Sequence, residues 1–260
     1  MTAEATASGV SAGLDRARLR AHLERTLPPD PFGWLEDPDS ARTRDWTHLQ
    51  DDAFRAAAAG WPHRDRFVRE LTELDALADP VSAPRPAGDR MFLMHLAPGA
   101  EHAALVVVEP DGRTRSLLDP GRLDPTGATT LEAWHPSWDG RLLACQLASG
   151  GTENAELFVL DVDTGERVDG PIDRVRNTMV AWLPGRRGFY YVRRLDPRLH
   201  PGEGDYHRRV HLHALGTSPD DDVVVFGDGR SATQHYTVRT DPQGRWLVVT
   251  ASAGTSPRLR

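Results

Sequence analysis

The chain contains no lysine: all 31 of its basic residues are arginine. A phosphate-loop lysine, a Schiff-base lysine and any lysine-borne cofactor are therefore chemically impossible within these 260 residues. Cysteine is almost as scarce. Cys145 stands alone, which excludes an intrachain disulfide, a Cys-based zinc site and an iron–sulfur cluster, and its apolar run Leu142-Leu143-Ala144-Cys145 predicts a buried, inert thiol. No stretch approaches the ~18 consecutive apolar residues of a membrane-crossing helix. The N-terminus also lacks a basic segment followed by an apolar one, so no signal peptide is expected and the chain reads as cytoplasmic. A formal charge of −7, with arginines and acids interspersed, supplies no basic field, so neither nucleic acid nor a membrane is an expected partner.

What is present is an ordinary apolar share, 39%, together with 23 Gly and 20 Pro. That composition can build a real core in a fold with many turns. Up to Asp79 the pattern has helical period. Phe67, Leu71, Leu74 and Leu77 fall on one stripe of a helix that Pro80 stops. Ser40 can cap an earlier helix carrying Trp46, Leu49, Phe54 and Ala57, with Gly60 as its C-terminal punctuation. A weaker amphipathic stretch carries Leu14, Leu19 and Leu23. From Pro80 onward a Pro-rich passage leads into short β-branched and aromatic runs broken by Gly, Asp and Pro. The expected division is a helical segment over residues 1–79 and a β domain over 80–260.

The β region repeats. Turn-then-strand units occur around Gly88, Gly140, Gly188 and Gly244, spaced by 52, 48 and 56 residues. A second series interleaves, with strand-then-turn units ending at Gly112, Gly165 and Gly216, spaced by 53 and 51. A shared period near 50 matches a four-stranded propeller blade, usually ~40–50 residues. The fold class expected is mainly β: about three four-stranded antiparallel blades plus the opening of a fourth, an incomplete β-propeller.

The residues that join both halves begin at Asp30-Pro31-Phe32-Gly33-Trp34-Leu35-Glu36-Asp37-Pro38-Asp39, followed by Trp46. This run resembles the "D-P-Y-x-W-L-E-D" opening of the prolyl oligopeptidase family of serine peptidases. Leu117-Leu118-Asp119-Pro120 is similar to the family's "L-L-D-P-N" step, with Gly121 in place of Asn. Ser137-Trp138-Asp139-Gly140-Arg141-Leu142-Leu143-Ala144 resembles its "S-x-D-G-x-x-L-A" blade turn, and Val180-Ala181-Trp182 with Gly188-Phe189-Tyr190-Tyr191 resembles the next one. Val210-His211-Leu212-His213-Ala214-Leu215-Gly216-Thr217, then Asp221 to Phe226, is similar to "V-y-y-H-x-L-G-T … D-v-L-V-y". The motifs come in family order over roughly residues 30 to 250.

The resemblance implies a seven-bladed propeller, an N-terminal segment that packs on a hydrolase domain, and a C-terminal α/β-hydrolase domain carrying Ser, Asp and His. The propeller gates access, so short peptides are cleaved, after proline or, in a sister branch, after basic residues. On that reading the chain stops inside the propeller and the catalytic residues lie beyond Arg260. The resemblance also places Ser252 where prolyl-cleaving relatives have an Arg facing the active-site cavity, which leaves the basic-residue branch open.

The chemistry-bearing residues agree with an absent catalytic centre. Acyl transfer by the family's route needs G-x-S-x-G between a strand and a helix. Gly229-Arg230-Ser231-Ala232-Thr233 lacks the last Gly, and Thr250-Ala251-Ser252-Ala253-Gly254 lacks the first. Both read as β-turn serines, and Ser149 reads as part of a glycine-rich hairpin turn. Among His200, His207, His211 and His213, the pair His211 and His213 would share a strand face, but no carboxylate or Cys stands at ligand spacing. Asp220-Asp221-Asp222 reads as a solvated loop, and Trp34 and Trp46 as packing residues. No catalytic residue, cofactor or metal is expected within the chain. Its expected partners are a peptide substrate and the hydrolase domain. The alternative is a non-catalytic propeller used for binding or scaffolding, which needs a second copy or chain to cover its open strand edges. An enzyme with an unrelated site grafted on the propeller has no supporting constellation.

Overall fold

The computed structural model describes residues 30–254, so the stretch carrying Leu14, Leu19 and Leu23 lies outside the described residues. The chain divides into two compact units, residues 1–70 and 71–260.

In the first unit the Asp-Pro-Phe-Gly-Trp opening forms a single turn over Gly33–Glu36, and Thr43 Oγ1 donates to the Trp34 carbonyl at 3.1 Å. Helix α1 then spans Ala41–Ala59. Ser40 caps it as its sequence demands, Oγ accepting from Thr43 N–H at 3.1 Å, which satisfies one of the amides that every helix start leaves unpaired. Gly60 closes the helix with its N–H on the Ala57 carbonyl, in a right-handed rather than left-handed conformation. Helix α2, Arg64–Leu77, runs across the division between the units and ends three residues before Pro80.

Among the described residues the second unit holds 14 strands in four antiparallel sheets. The first comprises β1 (Arg85–Ala87), β2 (Arg90–His95), β3 (Ala104–Val108) and β4 (Thr114–Leu118) in sequence order. The second is β5 (Thr129–Pro136), β6 (Leu142–Ser149), β7 (Ala155–Asp161) and β8 (Arg167–Val175). The third is β9 (Val180–Trp182), β10 (Gly188–Arg194), β11 (Arg208–Ala214) and β12 (Val223–Phe226). The pair β13 (Gln234–Thr240) and β14 (Leu247–Ala253) opens a fourth. Three complete blades and the start of another are thus in place, and the two glycine series mark the turns between the first and second and between the third and fourth strands. Between blades one and two, Asp119 caps helix α3 (Pro120–Leu123), its Oδ1 accepting from Gly121 N–H at 3.0 Å.

The core lies between successive blades, and strand alternation assigns its residues. Leu143 and Cys145 of β6 with Phe158 and Leu160 of β7 pack against Phe92, Leu105 and Val107 of the first blade. Their sequence neighbours Leu142, Ala144, Leu157 and Val159 point the other way, onto Phe189 and Tyr191 of the third. Blade two is buried on both faces, which is why its central strands read as near-continuous apolar runs. A third cluster joins Val192 and Val210 to Tyr236 and Val238.

Blade turns also interlock through glycine. A Cβ on Gly88 (φ +60°) would sit 2.3 Å from the Asp139 carbonyl oxygen, and one on Gly140 (φ +70°) 2.3 Å from that of Ala87, so each turn excludes a side chain from the other. Gly188 departs from the turn assignment. It is the first residue of β10, and the turn itself is made by Gly185 at φ +70°. Gly188 is needed because a Cβ there would meet the His213 carbonyl at 2.0 Å.

Candidate functional site

The first strand of each blade lines a propeller's axis, and here the four first strands are joined by side chains donating to neighbouring backbone. Arg85 Nη1 reaches the Trp134 carbonyl at 3.2 Å, Trp182 Nε1 the His135 carbonyl at 2.9 Å, and Thr240 Oγ1 the Trp182 carbonyl at 2.9 Å. At the end where these strands begin, a cavity of about 450 Å³ is lined by Glu132, Glu153, Arg176, Asn177, Arg208 and His235. Glu132, Asn177 and His235 stand eight or nine residues before the turn glycines Gly140, Gly185 and Gly244 of their own blades, so three blades deliver equivalent positions to one place. This repeat-aligned polarity was the signal in the sequence; no motif contains it.

The charges are unevenly satisfied. Arg176 bonds Glu153 through Nε at 2.8 Å and again through Nη2, and reaches Asp205 at 3.5 Å; the Glu153 bond raises its pKa above the ordinary value. Arg194, buried behind it, bonds Asp205 at 2.9 Å and Asn154 at 2.7 Å. Arg208 is half-buried, and among the described residues its guanidinium has no hydrogen bond or ion pair. Burial, then the nearby Arg194 and Arg176, lower its pKa. Burial followed by Arg208 and Arg176 lowers that of His235. A half-buried arginine without an anion can hold a carboxylate in charge-assisted hydrogen bonds. The lining contains no Ser, Cys, Thr or Tyr.

Ser149 ends β6 ahead of the Gly150-Gly151 turn, at the rim of a separate open cavity. Ser231 is exposed in a loop beside Thr233. Ser252 is a strand residue of β14 rather than a turn serine, paired with His235 across the ladder. None of the three follows a strand and opens a helix. Cys145 is fully buried and its thiol is pushed up to about 12 by burial.

The histidines separate into two groups. His211 and His213 do share a face of β11, their rings packed at a tilt against Tyr191 and Phe189. His213 is spent on two carboxylates on opposite sides of its ring, Nδ1 to Asp222 at 2.7 Å and Nε2 to Asp169 at 3.2 Å, so it has no nitrogen left for a metal. Burial alone would lower its pKa; the two carboxylates outweigh that and hold it above the ordinary value. Asp222 corrects the expectation of a solvated acidic loop. Asp220 is exposed, but the Asp222 side chain is buried between His213 and the Tyr191 hydroxyl, which donates to it at 2.6 Å, because the loop hands it directly into β12. Among the described residues neither nitrogen of buried His211 has a hydrogen-bond partner, and burial pushes its pKa down to about 4. His200 and His207 lie apart from these, with Glu203 beside them.

Comparison with known proteins matches this architecture. The family described as prolyl oligopeptidase, N-terminal beta-propeller domain, covers residues 16–260. A curated prolyl endopeptidase of Elizabethkingia meningoseptica is 26% identical over 234 residues, 89% of this chain and 33% of its own length. A solved structure from an analysis of two prolyl endopeptidases and their inter-domain dynamics is 31% identical with a TM-score of 0.79, over 87% of this chain and 34% of that one. Prolyl oligopeptidase B from Galerina marginata, bound to a 35mer hydrolysis and macrocyclization substrate, shares the fold at a TM-score of 0.73 and 19% identity, over 89% of this chain and 35% of that one. The chain spans about a third of the length of the relatives it matches. With its blades in family order and its opening motif in place, the chain belongs to the prolyl oligopeptidase family, of which it carries the N-terminal beta-propeller domain.

Proposed function

We propose that this chain is the N-terminal and propeller portion of a serine endopeptidase that cleaves short peptides, the propeller gating access to an α/β-hydrolase domain that carries the catalytic Ser, Asp and His. The observation that carries the reading is the charged cavity where the first strands begin. Three blades contribute to it, it offers an arginine without an anion, and its lining holds no serine, as expected of the wall opposite a serine-based catalytic centre. Arg208 takes a carboxylate of the peptide, and Glu132 across the pocket takes a positive group. Ser252 standing opposite His235 leaves cleavage after basic residues open beside cleavage after proline. The exposed stripe of Phe67, Leu71, Leu74 and Leu77 supports packing of residues 1–79 on the hydrolase domain. The reading extends to a cytoplasmic location, in keeping with a lone cysteine held as a buried thiol. No described helix is long and apolar enough to cross a membrane.

The test is complementation. The 260-residue chain is mixed with the portion of the Elizabethkingia meningoseptica enzyme that it does not match, and examined by size-exclusion chromatography, a fluorophosphonate serine-hydrolase probe, and fluorogenic peptides ending in Pro or Arg. The expected outcome is no labelling of this chain alone, a stable complex, and hydrolysis that weakens at least tenfold in Arg208→Gln. Labelling of the isolated chain, or a propeller that stays monomeric and leaves hydrolysis of short peptides unaltered, overturns the reading in favour of a separate binding module.

A further inference from the structure

We propose that the loop between β10 and β11 is a binding site for a borderline divalent transition metal such as Zn²⁺, with His200, Glu203 and His207 as its three protein ligands. One ligand atom from each lies within 4.8 Å of the other two, and all three residues are half-buried. Bonds of about 2.0–2.2 Å in tetrahedral geometry place ligand atoms roughly 3.3 Å apart, so side-chain rotation alone closes the set. The His207 Nε2 to Glu203 Oε2 contact is already 2.6 Å.

The loop backbone holds the three residues in position. His200 N–H bonds the Pro197 carbonyl at 3.2 Å, Glu203 N–H the His200 carbonyl at 3.0 Å, and Tyr206 N–H the Glu203 carbonyl at 3.0 Å, a succession of tight turns that folds the ligands onto one another. Both ends of the loop are tied down, Leu195 N–H to the His207 carbonyl at 3.2 Å and His207 N–H to the Ala232 carbonyl at 2.9 Å. Little ordering is left for a metal to impose.

The donor set selects the metal. Two neutral imidazoles and one carboxylate suit Zn²⁺, Cu²⁺ or Ni²⁺, whereas Ca²⁺ and Mg²⁺ take oxygen cages. The His200 and His207 rings are stacked at 3.7 Å and 13°, and imidazole lone pairs lie in the ring plane, so coordination requires the two rings to fan apart about their side-chain torsions. Coordination replaces the direct contact between His207 Nε2 and Glu203 Oε2, each of the two atoms turning to the metal. Three ligands leave a fourth position open. The same loop presents Asp205 to Arg176 and Arg194, so an occupied site braces one wall of the charged cavity.

The experiment is a calorimetric titration of the untagged 260-residue chain with Zn²⁺, paired with a Co²⁺ titration read by visible absorption. One equivalent of Zn²⁺ and the intense bands of a low-coordinate Co²⁺ site are expected. His200→Gln, Glu203→Gln and His207→Asn should each weaken binding at least tenfold while leaving the circular dichroism of the blades unchanged, and His48→Gln should bind as the parent does. If His207→Asn disturbs the fold, His200→Gln and Glu203→Gln still decide the matter. No stoichiometric binding, or affinity unchanged in those variants, overturns the assignment.

Discussion

The helices and the blades of this chain are equally well patterned and unequally buried. In α1 and α2 the only apolar side chain that is fully covered is Ala58, and Leu74 in the middle of the stripe is 64% exposed. In blade two, Leu143 is 0% exposed and its neighbours serve cores on both sides. The helices hold together through local devices: the Ser40 cap, the Trp34–Trp46 edge-to-face pair at 6.1 Å and the Phe54–Trp61 pair at 5.7 Å. The difference teaches what periodicity measures. It states which face of an element is built for burial and carries no information about where the covering surface is encoded.

The contrast is broken most directly by paired truncations. Leu143→Ala should cost about 3–4 kcal/mol, by lost transfer energy plus a cavity between blades, and Leu74→Ala within about 0.5 kcal/mol, both read from urea unfolding. A cost for Leu74→Ala near that of Leu143→Ala would mean the stripe is covered in solution. Next in size is Asp222→Asn, which leaves buried His213 with one carboxylate and should cost about 3 kcal/mol near neutral pH. The sign of its pH dependence follows from the raised pKa of His213. That stabilisation is present below the unfolded value of about 6.5 and lost as pH rises through the folded pKa. Asp222→Asn should flatten this alkaline decline.

His135 and His211 carry the opposite sign. Both are pushed down to about 4, mainly by burial, so the unfolded chain takes up protons that the fold refuses and stability falls as pH drops from about 6.5 toward 4. His211→Phe should recover about 2 kcal/mol at pH 5 relative to the parent, with little change above pH 7. An unchanged acid limb in denaturation curves would place the loss elsewhere. A smaller loss, still above that of Leu74→Ala, is expected at the start of α1. Ser40→Ala should cost about 1 kcal/mol, seen as fraying of α1 by amide hydrogen exchange, without altering the blades.

The fold was legible to the degree that it is local. Ser40, Gly60 and the glycine pairs located helix ends and blade turns because capping and positive φ are decided within a few residues. Gly188 reads locally as a turn residue, whereas its reason for being glycine, the His213 carbonyl, lies on another strand. The same distinction governs the polar residues. Asp222 looked solvated beside Asp220 until the register of β10, β11 and β12 set it against His213 and Tyr191. Strand alternation pairs the histidines of β11 and carries no signal for Glu203, which His200 and His207 meet through loop turns at the spacing His-x2-Glu-x3-His. The cavity draws on three blades, and only alignment of the repeat against itself brings Glu132, Asn177 and His235 together.

Every backbone ladder here closes within one run of roughly 50 residues, and neighbouring blades are joined by side chains such as Trp182 and Thr240 reaching back to carbonyls already in place. That arrangement gives the propeller a low separation between bonded partners and a direction of assembly. A chain emerging from the ribosome can zip each sheet as it clears the exit and dock it on the one before, so that synthesis itself sets the sequence of folding events.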